Sequence, residues 1–225
     1  MPRPQVAILG GGPGGYEAAL VAAQLGADVT VIDDAGLGGS CVLTDCVPSK
    51  SLIESSAVMT SLGRSPALGL RLGNGASPDA KASLDPKASP ELSVDPADLY
   101  SRIKSLATAQ SRDITQRVRA EGVRVVHARG RLAAPGVVEA GGEEIRPDVV
   151  LISTGAKPRE LPGAAGDGER ILTCRQLYDL PELPAALIVV GSGVTGAEFA
   201  GAYQALGSAV TLVSSRDRVL PHEDK

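Results

Sequence analysis

The sequence has 225 residues, of which 43% are hydrophobic and 21% are charged. This length and composition are typical of a folded globular protein with one large or two modest cores, and they exclude a disordered chain. The formal net charge of -4 leaves no excess of positive charge. We therefore expect neither nucleic acid nor an anionic membrane surface as a partner.

The N-terminal residues and the cysteine content indicate a cytoplasmic protein. Arg3 precedes an apolar run, but glycines and Glu17 interrupt that run and no polar cleavage region follows. We predict neither a signal peptide nor a membrane span. The three cysteines indicate chemistry rather than a structural framework, because reducing compartments do not maintain structural disulfides. We predict no metal site.

The first predicted unit is a strand, a helix and a second strand. The letters QVAILG predict a buried strand, GGPGG a turn, YEAALVAAQLG a helix that ends at Gly26, and DVTVID the second strand. The turn has the pattern G-x-G-x-x-G at Gly10, Gly12 and Gly15, and Asp33 ends the second strand. This context predicts a dinucleotide site. Its glycines admit a pyrophosphate to backbone N–H groups, and Asp33 accepts hydrogen bonds from a ribose.

Two of the cysteines, Cys41 and Cys46, lie in the segment GGSCVLTDCVPSK, directly after this unit. Five residues of a regular helix rise about 7.5 Å, which exceeds the roughly 7 Å limit on the Cα separation across a disulfide. Pro48 disturbs a helix four residues earlier, at Thr44, so a bridge across a distorted first turn is feasible. Two other interpretations stay open: a thiolate favoured by the helix N-terminus and Lys50, and two buried cysteines that never meet.

The middle of the chain connects this unit to a second one. The proline-rich stretch from Ser65 to Pro96 predicts a flexible surface loop without chemistry. A helix closed by Gly122 is predicted next, followed by a third parallel strand, a small β-meander and a return strand. The apolar positions of this helix are Leu99, Ile103, Leu106, Ile114 and Val118. We interpret His127 as a strand residue and Cys174 as an ordinary buried cysteine.

A second strand–glycine loop–helix–strand unit begins near residue 186. Its loop repeats the glycine pattern at Gly191, Gly193 and Gly196, so the sequence predicts two nucleotide cofactors. The position equivalent to Asp33 holds Ser214, followed by Ser215 and Arg216. No carboxylate stands there to bind a ribose 2'-hydroxyl.

The ordered set of these motifs resembles the class I pyridine nucleotide-disulfide oxidoreductases. It comprises a G-x-G-x-x-G unit, GGSCVLTDCVPSK, STGAKP and a second G-x-G-x-x-G-x-E. Within that family, TDCVPSK, GERILTCRQLYDL and VVGSGVTGAEF are most similar to actinobacterial NAD(P)H quinone reductases, which are related to dihydrolipoamide dehydrogenase. The resemblance covers nearly the whole chain except Ser65 to Pro96. It implies an α/β fold with two Rossmann-like units, the second incomplete.

The resemblance also implies cofactors and site residues. FAD would bind to the first unit and NAD(P)H to the second. Cys46 would contact the flavin and Cys41 would be the interchange thiol that attacks a disulfide. The residues expected to bind cofactors in the first unit and its neighbours are Gly10, Gly12, Pro13, Gly14, Gly15, Asp33, Asp34, Gly39, Ser40, Lys50, Gly130, Ser153, Thr154 and Gly155. Those in the second are Gly191, Gly193, Val194, Thr195, Gly196, Ser214, Ser215 and Arg216.

Lys50 and Glu198 are the other expected catalytic residues. Lys50 follows Cys46 by one helical turn, and Glu198 is predicted in the first turn of the second-unit helix, where the helix dipole favours a carboxylate. We expect the two side chains to meet beside the flavin, because a buried lysine needs an acid partner. Arg216 or Arg218 would pair with a 2'-phosphate, so we predict that NADPH serves at least as well as NADH.

The expected function is hydride transfer from NAD(P)H through FAD to a quinone or a disulfide. Quinone-reducing relatives often lack the first cysteine, whereas Cys41 is present here, so disulfide reduction stays open. We expect residues 1–158 to form the FAD-binding domain and residues 159–225 to begin the NAD(P)-binding domain. The family continues into a dimer-interface domain that supplies a His-Glu pair, so we interpret the chain as an N-terminal part of a homodimeric enzyme. Alone it would be a catalytically incomplete nucleotide-binding protein.

Overall fold

The structure is a computed structural model and describes residues 2–70 and 93–221. The chain forms two compact units. The first comprises Met1–Pro48 and Ser101–Asp179, and the second comprises Ser49–Tyr100 and Leu180–Lys225. We describe each unit by itself.

Helices and strands alternate along the chain, as the α/β prediction requires. In chain order the elements are β1 (Gln5–Leu9), α1 (Pro13–Gln24), β2 (Asp28–Asp33), α2 (Gly39–Leu43), α3 (Cys46–Arg64), α4 (Pro96–Ala120), β3 (Arg124–His127), β4 (Gly130–Ala134), β5 (Val137–Ala140), β6 (Glu143–Ile145), β7 (Val149–Ile152), β8 (Ala186–Val190), α5 (Val194–Ala205) and β9 (Ala209–Val213). None of the helices in the described part is both long enough and apolar enough to cross a membrane.

The first unit is built on a parallel sheet with the strand order β3-β2-β1-β7. Side chains alternate across this sheet, because successive residues of a strand point to opposite faces. On one face, Ile8 and Val31 pack with Ala19 of α1 and Val118 of α4. The other face packs on the antiparallel meander β4-β5-β6, in the cluster Ala7, Leu9, Ile32, Val138 and Ala140. The sheet therefore lies between helices and a meander, in three layers.

The second unit contains the parallel pair β8 and β9, joined by α5. Phe199, Ala202 and Tyr203 of α5 are buried. The Tyr203 hydroxyl lies 3.0 Å from the hydroxyl of Tyr100 at the start of α4. This buried hydroxyl pair satisfies two polar groups that would otherwise destabilise the interior.

The predicted elements are confirmed, with differences in detail. The proposed cysteine helix is two helices, because the chain leaves helical geometry at Thr44, where φ is -138°. Pro48 is therefore the third residue of α3, a position whose N–H has no partner within the helix in any case. It begins a helix and does not distort one. Leu106 was expected on the buried face of α4 but is 42% exposed.

Two other expectations concern the loop before α4, which lies partly outside the described residues, and His127. The predicted loop from Ser65 to Pro96 begins with a short 3-10 helix at Ser65–Leu68, and its residues 71–92 lie outside the described residues. His127 ends β3, opposite Asp33 of β2, and its side chain is exposed. This position agrees with its interpretation as a strand residue.

Candidate functional site

The first glycine loop begins where β1 ends. Gly10 has a φ of 104°, and a Cβ at this position would clash with the carbonyl oxygen of Ser153. A Cβ on Gly15 would clash with the carbonyl oxygen of Gly10 in the same way. Only glycine therefore allows the loop to close tightly against the end of β7 and the start of α1.

The start of α1 has the features of a diphosphate site. Gly12 is the N-cap and makes no side-chain capping bond, and Pro13 occupies the first helical turn. The positive end of the helix dipole and the backbone N–H groups are therefore left to an anion. A Cβ on Gly12 would lie 4.0 Å from the Cα of Gly39, within ordinary van der Waals contact. Gly12, Pro13 and Gly14 fit the diphosphate of a dinucleotide such as FAD.

Asp33 holds the same loop together. Its Oδ2 accepts a hydrogen bond from the Gly11 N–H at 2.7 Å, and its Oδ1 accepts from Ala35 and Gly36, each at 2.8 Å. A carboxylate has about four acceptor positions. Three of them are used by backbone groups, so Asp33 has a structural role that the sequence did not predict, and one position is left for a ribose hydroxyl.

The residues after β7 lie beside the loop. The Ser153 N–H donates to the Leu9 carbonyl at 2.8 Å, and a Cβ on Gly14 would lie 3.0 Å from Ser153 Oγ. Thr154 and Gly155 follow, both exposed. In parallel sheets, ligands bind at the carboxyl ends of strands where the strand order reverses. The edge between β1 and β7 is such a place.

The remaining residues expected near FAD have different positions. Gly39 begins α2, and a Cβ there would lie 2.7 Å from the Cα of Gly12. Ser40 and Asp34 are exposed nearby in the chain. Gly130 instead packs against the sheet, since its Cβ would lie 2.6 Å from Leu9 Cδ2 and 2.8 Å from Ile32 Cγ2. Gly130 lets β4 approach the sheet, and its predicted contact with a cofactor stays a prediction.

Cys41 and Cys46 are brought together by the break between α2 and α3. Cys41 lies in α2 and is partly buried, whereas Cys46 is the first residue of α3 and is exposed. The two thiol side chains are hydrogen-bonded. All three cysteines lie in the described part of the chain, and none of them forms a disulfide.

The surroundings of Cys41 favour its neutral thiol. Burial raises the pKa of Cys41 first, and the hydrogen bond to Cys46 and the negative charge of Asp45 raise it further. Cys174 is partly buried, and burial and Asp45 also raise the pKa of its thiol. One interpretation of the sequence was a thiolate favoured by a helix N-terminus, and of the two cysteines only Cys46 begins a long helix.

The second glycine loop has the same construction as the first. Gly191 has a φ of 117° and its N–H donates to the Val213 carbonyl at 2.9 Å. The Gly10 N–H donates to the Ile32 carbonyl over the same distance. A Cβ on Gly196 would clash with the Gly191 carbonyl oxygen.

The helix after the second loop begins without a side-chain cap. Gly193 is the N-cap of α5 and makes no side-chain capping bond. The exposed residues Val194 and Thr195 begin the helix. This start of α5 is therefore also suited to a diphosphate.

The end of β9 is where the two units differ. Ser214 Oγ lies 2.6 Å from Ser192 Oγ and accepts a hydrogen bond from the Arg216 N–H at 2.9 Å. Ser192 is 5% exposed, and Ser215 and Arg216 are exposed. An uncharged pair of hydroxyls therefore replaces the contact that the Asp33 carboxylate makes in the first unit.

Lys50 and Glu198, both in the second unit, form an ion pair. Lys50 Nζ lies 2.6 Å from Glu198 Oε1, so the predicted contact between them is present. Two details differ from expectation. The Lys50 side chain is 61% exposed and not buried, and Glu198 is the fifth residue of α5, beyond the first turn. The helix dipole therefore contributes less to Glu198 than the sequence suggested.

The sequence profile of the pyridine nucleotide-disulphide oxidoreductases matches residues 4–225. The chain belongs to this family. An NAD(P)H dehydrogenase (quinone) of Mycobacterium tuberculosis is 50% identical over 234 aligned residues, which cover 98% of this chain and 44% of the relative. A dihydrolipoyl dehydrogenase of Bacillus subtilis is 37% identical over 224 residues, covering 98% of this chain and 46% of the relative.

A solved structure has the same fold. The crystal structure of LpdA from Mycobacterium tuberculosis superimposes with a TM-score of 0.83 at 48% identity, covering 98% of this chain and 47% of LpdA. The chain thus spans less than half the length of the family members it matches.

Two residues near the oxidoreductase motifs escaped the sequence reasoning. Ser192 occupies the first x of the G-x-G-x-x-G pattern in the second loop, so the motif does not specify it. Its partner, Ser214, is identified only by the distance between the two hydroxyl oxygens. Ser111 lies in α4, yet it contacts the turn that follows Asp33. No local pattern marks Ser111, because the contact joins residues that are far apart in the sequence.

Among the residues that the structure describes, no group of His, Cys, Asp and Glu is arranged to hold a metal ion.

Proposed function

We propose that this protein is part of an FAD-dependent oxidoreductase that passes a hydride from NAD(P)H through FAD to a quinone or a disulfide. The observation that carries this proposal is the contact between Cys41 and Cys46 on the segment that follows the first glycine loop. Bound FAD would supply two-electron chemistry between the nicotinamide and the acceptor.

The two glycine loops support the binding of two dinucleotides. Each loop follows a parallel strand and leads into a helix whose N-cap makes no side-chain bond. The FAD diphosphate would be held at Gly12–Gly14 and the nicotinamide nucleotide at Gly193–Thr195. Asp33 would keep the first loop closed and offer its remaining acceptor position to a ribose.

The cysteines support the reduction of a disulfide. In the oxidised protein a bond between Cys41 and Cys46 would receive two electrons and two protons and give two thiols. The exposed Cys46 and the partly buried Cys41 would then differ in reactivity, because only the thiolate attacks a disulfide. A quinone acceptor is the second candidate, because a relative of this chain is named NAD(P)H dehydrogenase (quinone).

The ion pair of Lys50 and Glu198 holds a positive charge in a defined position. Lys50 Nζ lies 2.6 Å from Glu198 Oε1. We propose that this ammonium group stabilises the negative charge that a reduced flavin carries.

The first experiment is an absorption spectrum of the purified protein. Flavin bands that bleach on anaerobic addition of NADPH are the expected result. A colourless protein that does not gain flavin bands when FAD is added would contradict the proposal.

The second experiment separates the two acceptors and is done on the full-length enzyme. Cys41→Ser and Cys46→Ser are compared with Cys174→Ser, which removes the third cysteine as a matched control. If the acceptor is a disulfide, both pair variants lose lipoamide reduction and the control keeps it. If reduction of a quinone such as menadione survives in all three variants and lipoamide is never reduced, the acceptor is the quinone.

We further propose that the enzyme works as a homodimer in the cytoplasm, with residues 1–158 binding FAD and residues 159–225 contributing to the NAD(P) site. The resemblance to dihydrolipoamide dehydrogenase supports this assembly. Light scattering of the full-length enzyme measures its mass in solution, and a monomer at micromolar concentration would contradict the dimer.

A further inference from the structure

Ser111 of α4 binds the turn between β2 and α2. Its hydroxyl donates to the carbonyl oxygen of Leu37 at 2.6 Å, and the residue is 8% exposed. The approach depends on Gly36, which has a φ of 123° and whose Cβ would lie 3.1 Å from Ser111 Oγ. A side chain at position 36 would push the serine hydroxyl away from its acceptor.

The same turn is tied to the first glycine loop on its other side. The Gly38 N–H donates to the Gly11 carbonyl at 2.8 Å. Leu37 is 1% exposed, and its Cδ2 fills the space where a Cβ on Gly11 would stand. The turn is therefore held between α4 and the glycine loop.

The end of the turn determines where Cys41 lies. Gly38 is the N-cap of α2 and has a φ of 103°, and its N–H bond to Gly11 fixes its position. Cys41 is the third residue of that helix. Because α2 has only five residues, a displaced turn displaces Cys41 with it.

We propose that Ser111 is a positioning residue, which holds the turn at residues 34–38 so that Cys41 stays beside Cys46 and the glycine loop stays closed. This inference rests on the proposed function of the cysteine pair. The Ser111 hydroxyl donates to the Leu37 carbonyl. It acts through Leu37 and Gly38.

The test compares Ser111→Ala with Thr115→Val in the purified protein. Thr115 Oγ1 donates to the Ser111 carbonyl at 2.8 Å, so Thr115→Val removes a hydroxyl from the same helix without touching the turn. The readout is the rate of alkylation of Cys41 relative to Cys46, measured by mass spectrometry of the reduced protein. This readout needs neither an electron acceptor nor turnover, so it separates the role of Ser111 from the proposed activity.

In Ser111→Ala we expect the Cys41 rate to rise about fivefold relative to Cys46, the factor expected from the loss of one ordinary hydrogen bond. Thr115→Val should keep the wild-type ratio, even where both variants melt at a lower temperature. A wild-type ratio in folded Ser111→Ala would overturn the proposal. Gly36→Ala, whose Cβ would push the Ser111 hydroxyl away from Leu37, covers the case in which the alanine variant does not fold, and an unchanged ratio in it would also count against the proposal.

Discussion

A single residue distinguishes the strand ends of the two units. In the first, the carboxylate of Asp33 accepts from Gly11, and in the second the uncharged hydroxyl of Ser214 contacts Ser192. A carboxylate at this position favours a free ribose diol, whereas its absence next to an arginine accommodates a 2'-phosphate. The difference therefore bears on which nicotinamide nucleotide the protein prefers.

We predict that NADPH is used at least as well as NADH. Ser214→Asp should lower the preference for NADPH by about tenfold, because repulsion replaces one charge-assisted hydrogen bond to the 2'-phosphate. Arg216→Ala should act in the same direction. Calorimetric titration with adenosine 2',5'-bisphosphate and with ADP gives their two dissociation constants, whose ratio measures the preference without turnover. Ser214→Ala removes the hydroxyl pair without adding charge and is the control. A strong preference for NADH that persists in Arg216→Ala would contradict the prediction.

The pH dependence of Cys41 follows from its surroundings. Burial, the hydrogen bond to Cys46 and the charge of Asp45 all raise the pKa of Cys41. A raised pKa means that folding favours the neutral thiol. The resulting stabilisation is complete below the pKa of an unfolded cysteine, about 8.5, and is lost as the pH rises through the folded pKa.

We expect iodoacetamide to modify the exposed Cys46 before Cys41 at pH 7, and the Cys41 rate to rise only at a pH above the ordinary range of a thiol. Asp45→Asn removes a negative charge, so it should move the Cys41 profile to lower pH. Asp113→Asn, an exposed position on α4, is the control and should leave the profile in place. Preferential labelling of Cys41 at pH 7 would show that the assignment of its surroundings is wrong.

At the level of elements, each glycine loop is tight because its helix starts very close to the end of the preceding strand. Gly196 of α5 has no room for a Cβ, whereas Gly201 of the same helix has no atom within 4 Å of the corresponding position. The two glycines therefore form a matched pair, one required by close packing and one not.

Gly196→Ala should destabilise the protein by about 1–3 kcal/mol, because the clash with the Gly191 carbonyl forces the helix away from the loop. Gly201→Ala should stabilise it by roughly 0.5–1 kcal/mol, since alanine loses less backbone entropy than glycine in a helix. Urea unfolding followed by circular dichroism gives both values. Equal midpoints for the two variants would mean that the close packing at Gly196 is not present in solution.

The sequence predicted these elements well where the signal is local. Strand period, glycine pattern and the helix ends at Gly26 and Gly122 each depend on a few neighbouring residues, and the structure gives both glycines a positive φ. The sequence placed a disturbance at Thr44 but attributed it to Pro48 within one helix, whereas Pro48 lies in the first turn of a second helix, where proline is tolerated.

Contacts between distant residues could not be derived from the sequence. The Asp33 carboxylate could serve a ribose or its own loop, and only the backbone geometry shows that three N–H groups reach it. Leu106 fits the helical period of α4, yet 42% of it is exposed, because periodicity defines a face and not what covers it. The positions of Ser111 and Leu37 likewise depend on packing and not on any local pattern.

At the level of the whole molecule, one face of the second unit's parallel strands is apolar and exposed. α5 contacts both β8 and β9. Alternate residues of these strands remain accessible, with Ile188 69%, Val190 58% and Val213 44% exposed. Val190 lies directly opposite Val213, and Ile188 lies opposite Thr211. Parallel sheets in stable proteins have both faces covered, and a continuous apolar patch favours association.

We therefore predict that the 225-residue chain, purified by itself, self-associates and binds the dye ANS, and that Ile188→Thr reduces both effects. Threonine suits a strand and already stands opposite at Thr211, so the substitution removes apolar surface without opposing the fold. Leu132→Thr, at a 49% exposed position of β4 in the first unit, is the control and should leave ANS binding nearly unchanged. Light scattering and ANS fluorescence across a concentration series measure the two effects. If Ile188→Thr and Leu132→Thr lower ANS binding equally, the face of β8 and β9 is not what drives the association.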